Sequence, residues 1–76
     1  MPPEKLVHMA NQIAMFCQTN PNGARHTADV ADHINKYWDP RMRRQLVDVV
    51  AADAADDIHP LVRAAISAIR LPVELS

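Results

Sequence analysis

The proline at position 40, directly after an aspartate, constrains the fold of this chain more than any other residue. Its ring disfavours the α conformation for Asp39, and its nitrogen has no hydrogen to donate, so a continuous helix across the pair is strongly disfavoured. The extended geometry left to Asp39 is that of a helix N-cap, and Pro40 suits the first helical position, where a missing N–H costs nothing. One helix is therefore predicted to stop near Tyr37 or Trp38 and another to start at Pro40, with almost no loop between them. Such a joint must bend.

The residues around the joint, His33 to Leu46, read HINKYWDPRMRRQL and gather the only Trp and the only Tyr with Arg41, Arg43 and Arg44. A helix N-terminus carries partial positive charge, yet these arginines sit in the first turns of the helix after Pro40, with Lys36 just upstream. Asp48 and Asp53 lie toward the end where cations are preferred. Each misplaced exposed charge costs roughly 0.3 to 1 kcal/mol, and Asp39 offsets part of that. A solvated basic face is the plain reading. The company of Trp, Tyr, Arg and Met, the types enriched at interface hot spots, favours a contact with another protein, through Lys36, Tyr37, Trp38, Arg41, Arg43 and Arg44. Trp38 keeps a second reading as part of the domain's own core, since large aromatics are so often buried.

The rest of the chain reads as helices and turns. Leu6, Met9, Ile13 and Phe16 recur at three- and four-residue steps, flanked by Val7, Ala10, Ala14 and Cys17, which makes a wide apolar face on a first helix opened by Pro2 and Pro3. That helix ends by Thr19 or Asn20, because Asn20-Pro21-Asn22-Gly23 is a dense turn signal. A second helix begins between Ala24 and Thr27, with Val30, Ile34 and either Tyr37 or Trp38 as its stripe, widened by Ala31. The third, from Pro40, turns Met42, Leu46, Val49 and Val50 inward and its arginines mostly outward. Ala51 to Asp57 has no large apolar side chain and reads as a fraying helix end and a solvated linker. Pro60 opens a fourth helix, capped by Asp57 or His59, with Leu61, Val62, Ala65, Ile66 and Ile69 as its stripe and Arg70 in its last turn. The tail from Pro72 to Ser76 reads as a frayed terminus, with docking through Val73 and Leu75 as the alternative. No stretch alternates with period two. The expected architecture is all-α, a small bundle of four short helices forming one domain over residues 1–76.

Seventy-six residues bury only about 60% of the surface their unfolded chain exposes, so stability is modest. One cysteine excludes an internal disulfide and suits a reducing compartment, and Cys17 on the apolar face reads as a small buried hydrophobe. No secretory signal and no membrane-length apolar run is present, which points to a cytoplasmic chain with no membrane partner. Net charge is −1 with a pI near 6.4, unlike the broad basic surface that phosphate backbones require. A small helical nucleic-acid-binding regulator using the helix from Pro40 remains the alternative, since short helices at a tight joint are reminiscent of helix-turn-helix units.

Catalytic and metal readings fail on counts. His8, His26, His33 and His59 are scattered, and only Asp29 and His33 share a helical four-residue spacing. A lone cysteine cannot hold an iron–sulfur cluster, and no phosphate-loop, nucleophile-elbow, zinc-protease or dinucleotide fingerprint occurs. No catalytic residue, bound metal or cofactor is expected of this chain.

With its residues laid out, the chain resembles the small delta subunit of the cytoplasmic, NAD-dependent, molybdenum- or tungsten-containing formate dehydrogenases. PPEKLVHMANQIAMF, VADHINKYWDPRMRRQL and IHPLVRAAISAIR carry the resemblance in the family's order. The HINKYWDPRMR run is its specific part, and the last block is a generic amphipathic helix. Departures fall in Asn20 to Thr27 and Ala51 to Asp57, the expected connections, and His59 stands where an acidic cap is more usual. The resemblance implies a non-catalytic accessory subunit. In such complexes formate is oxidised at a pterin-bound metal in the large alpha subunit, and electrons pass through iron–sulfur clusters and flavin to NAD. The large subunit is the implied partner, and support of assembly or maintenance the implied role.

Overall fold

A computed structural model describes residues 2–53 and 57–71. Four α-helices follow in order: α1 Pro3–Cys17, α2 His26–Tyr37, α3 Pro40–Ala51 and α4 Pro60–Ala65. A short 3-10 turn, Gly23–Arg25, leads into α2, and another, Ile66–Ala68, follows α4. Among the described residues there is no strand, and no helix is long and apolar enough to cross a membrane. The chain is thus the small all-α bundle its periodicity predicts.

The joint forms as Asp39 and Pro40 dictate. Trp38 is extended (φ −89°, ψ 138°) while its backbone N–H still closes the last bond of α2 on Ile34. Asp39 is extended as well, and its Oδ1 accepts from the Met42 amide at 2.9 Å, capping α3 with Pro40 at the first helical position. The Asn20–Gly23 turn is held by its own side chains. Asn20 Oδ1 accepts from the Asn22 amide at 2.9 Å and Asn22 Oδ1 from the Ala24 amide at 3.2 Å.

Helix α1 packs against each of the other three, and α2 also packs against α4. Leu6, Val7, Ala10, Ala14 and Cys17 form the buried side of α1, two of the five being alanines that let neighbouring backbones come close. Val30, Ala31 and Ile34 from α2, Trp38 just after it, Leu46 and Val49 from α3, and Ile58, Val62, Ala65 and Ile69 complete the core. Leu6, Val7, Val30, Ile34, Leu46 and Val62 are fully buried, each contributing about 1.5 to 3 kcal/mol. Among the described residues no polar or charged residue is buried.

Two expectations change and one open alternative closes. Phe16, expected on the inner face of α1, is 76% exposed, and Met9 and Ile13 are only half-buried. The apolar arc of α1 spans about half its circumference at 3.6 residues per turn, and its neighbours cover the small-residue side of that arc. Trp38 is only 6% exposed, so of its two readings the core one holds, and it takes the stripe position left open between it and Tyr37. The backbone turn that ends α2 carries the Trp38 ring inward, and only a small part of it is left along a groove with residues of α1. Arg70 does not close a helical turn, because α4 stops at Ala65, the 3-10 turn ends at Ala68, and Ile69 is extended.

Two asparagines fasten α4. Asn11 on α1 donates from Nδ2 to the Asp57 carbonyl at 2.7 Å and accepts at Oδ1 from the His59 amide at 2.9 Å. Asn35 on α2 donates to the Ala68 carbonyl at 3.0 Å and accepts from the Arg70 amide at 2.7 Å. Between them, His59 caps α4 through Nδ1, which accepts from the Leu61 amide at 3.0 Å, while its Nε2 meets Gln18 Oε1 at 3.1 Å. His59 is therefore the cap, not Asp57. An ion pair of 2.7 Å from Arg63 to Asp53, itself at φ 51° just past α3, ties α3 to α4. Part of the expected linker and the tail from Pro72, with Val73 and Leu75, lie outside the described residues.

Candidate functional site

The residues expected to form a contact surface come from the last turn of α2, the joint and the first turns of α3. Their side chains divide between two surroundings. Lys36 and Tyr37 are exposed, Tyr37 by 70%, and both line a groove of about 620 Å³ beside α2. Trp38 lines a smaller groove of about 330 Å³ with Met9, Ile13, Phe16 and His33. Arg41, Arg43 and Arg44 line neither groove.

The three arginines also differ from one another. Arg41 is exposed. Arg44 is half-buried and forms an ion pair with Asp48 one turn along α3, Nε to Oδ1 3.4 Å, so a pair that looked misplaced against the helix dipole is partly neutralised within the helix. Arg43 is half-buried, and its Nε is shut off from water with no hydrogen-bond partner among the described residues. Leaving such a nitrogen unsatisfied costs on the order of 1 to 3 kcal/mol.

Tyr37 is ordered from its own helix. Its ring lies 4.8 Å from that of His33, one turn back, with the planes at 48°, a tilted aromatic contact. Phe16 faces the same region from α1 and borders both grooves, as does His33. Sequence reading placed Phe16 in the core; the legible warning was an apolar arc on α1 wider than one neighbour could bury. Asn11 and Asn35 gave no comparable signal, because their partners are backbone groups far along the chain.

Charges along the larger groove are unequally committed. Asp29 is half-buried, bonded to Asn20 Nδ2 at 3.1 Å and paired with Arg25 at 3.7 Å. Among the described residues, Lys36, Asp32 and Arg70 carry no ion pair. Cys17 lies at the base of this groove, only 8% exposed, and burial, followed by the nearby Asp29 carboxylate, pushes its thiol above the ordinary range. A thiol so placed stays protonated and is a poor nucleophile at neutral pH. Among the described residues no three His, Cys, Asp or Glu side chains group closely enough to hold a metal ion. What the surface provides is two exposed aromatic rings, a shallow apolar groove and uncommitted cations, the materials of protein recognition.

The family model of the NADH-dependent formate dehydrogenase delta subunit FdsD matches residues 5–66, a span that contains most of α1 and all of α2, the joint, α3 and α4. The comparisons with curated proteins and with solved structures gave no match.

Proposed function

The chain belongs to the NADH-dependent formate dehydrogenase delta subunit family, and from that premise we propose that it is a non-catalytic, cytoplasmic accessory subunit that binds the large catalytic subunit and supports assembly or stability of the active complex. The observation that carries this reading is the family match across residues 5–66, which includes the whole aromatic and arginine corner. The chemistry of the chain supports it. The thiol of Cys17 is buried and held protonated, and the exposed features are those of a docking surface.

Within that role Lys36, Tyr37, Arg41, Arg43 and Arg44 form the contact, and Trp38 acts from beneath. Buried at the end of α2, Trp38 fixes the angle at which Tyr37 and the start of α3 are presented.

The test is co-purification of the tagged chain with the large subunit, together with formate-dependent NAD reduction by the assembled enzyme. Tyr37→Ala combined with Arg41→Glu changes two exposed side chains and leaves the fold intact. A loss of about 2 kcal/mol, roughly thirtyfold in affinity, is expected. Unaltered binding and activity in that variant would rule out the corner as the contact.

A further inference from the structure

The apolar arc of α1 is wider than the bundle covers, and the uncovered edge forms one wall of a groove. Ile13 and Phe16 stand on that wall, His33 and Trp38 on the other side, and Phe16 is 76% exposed. Through Phe16 and His33 the apolar groove adjoins the larger one, which among the described residues is lined by Lys36, Arg70, Asp32 and Asp29, the last of them paired with Arg25. The surface thus has an apolar half and a charged half in which, apart from the Asp29–Arg25 pair, two cations meet one carboxylate.

We propose that this double groove receives an acidic amphipathic segment of the large catalytic subunit, with an aliphatic side chain seated between Phe16 and Trp38 and a carboxylate opposite Lys36 and Arg70. The assignment rests on the accessory-subunit reading above and adds the occupant's chemistry and a second contact face, on α1. Charge decides among occupants. A second copy of this chain would set Lys36 and Arg70 against the same two cations, with only one Asp32 on each side to answer them. A small apolar ligand would leave most of its surface wet in so shallow a trough, whereas one face of a protein segment needs no further enclosure. Phe16 then serves as an aromatic anchor, which accounts for a large ring left in water at the end of a helix.

The experiment places the photoreactive analogue p-benzoylphenylalanine at position 16 of the full chain, assembles it with the other subunits and maps the crosslink by mass spectrometry. The expected product joins position 16 to a peptide of the large subunit in which Asp or Glu lies within one helical turn of Leu, Ile, Val or Met. A crosslink to a second copy, to another subunit or to a peptide without carboxylates overturns the assignment, as does the absence of any crosslink. In parallel, Lys36→Glu with Arg70→Glu should weaken binding of the purified large subunit at least tenfold at low salt; unchanged affinity overturns the charge pairing. Co-purification of the unmodified chain separates the two levels of failure. If the large subunit is retained but position 16 reacts elsewhere, only the groove assignment falls; if it is not retained, the accessory reading falls with it.

Discussion

Asn35 and Arg70, 35 positions apart in the chain, meet through a 2.7 Å hydrogen bond in which the Arg70 amide donates to Asn35 Oδ1. The same side chain donates to the Ala68 carbonyl, so one residue of α2 satisfies both a donor and an acceptor of the segment leaving α4. Asn11 does the same for the segment entering it. A helix of six residues is far too short to persist alone, and these two clamps, with Val62 and Ala65 in the core, are what hold it.

Asn35→Ala should therefore cost about 1 to 2 kcal/mol, the net worth of two partly solvated hydrogen bonds. Asn35→Asp keeps the acceptor and loses the donor, so its cost should be roughly half as large. Urea unfolding followed by circular dichroism gives both values, and equal stability of all three proteins would show that the clamp does not hold α4.

Trp38 and Phe16 should respond in opposite ways to truncation. Trp38→Ala empties a buried site and is expected to cost about 3 to 5 kcal/mol, a large part of what a domain of this size has. Phe16→Ser, at a ring mostly in water, should change stability by no more than about 0.5 kcal/mol. Thermal melts of the isolated chain distinguish them; a Phe16 variant as damaged as the Trp38 variant would contradict the packing of α1.

His59 performs with a ring nitrogen what an acidic side chain performs at other helix starts. Nδ1 accepts from the Leu61 amide, which places the ring hydrogen on Nε2, toward Gln18. His59→Ala should lose about 1 kcal/mol, while His59→Asp, a strong N-cap type, should retain most of that stability. The ratio of the two denaturation midpoints is the measurement.

Cys17 makes stability depend on alkaline pH. Its thiol is raised in the folded chain, first by burial and then by Asp29, so as pH climbs past the ordinary thiol value of roughly 8.5 the unfolded chain loses its proton before the folded one. The folded state then binds more protons than the unfolded state, and stability falls with rising pH until the folded thiol ionises too. Wild type should lose more stability between pH 7 and pH 10 than Cys17→Ala does, and iodoacetamide should label Cys17 slowly until the chain is unfolded. An identical pH dependence in both proteins would remove the effect.

The four helices and the bend at Asp39-Pro40 were legible in the residues because capping, proline geometry and a 3.6-residue period act over a few positions along the chain. The Asn20–Gly23 turn was legible for the same reason, its bonds being made between residues two apart. Which part of a broad apolar arc is buried was not local. The stripe through Met9, Ile13 and Phe16 and the one through Val7, Ala10, Ala14 and Cys17 are both apolar, and neighbouring helices took the narrower one, since alanines allow close approach and large side chains do not. The same holds for the candidate site. Local rules brought Lys36, Tyr37, Trp38 and the arginines to one corner, yet tertiary packing turned Trp38 inward and gave Arg44 and Arg43 different surroundings. It also left Phe16 beside Tyr37's groove and stopped α4 short so that Asn35 could bind the chain beyond it. Backbone preferences are written residue by residue, whereas burial is settled only when distant surfaces compete for the same partner.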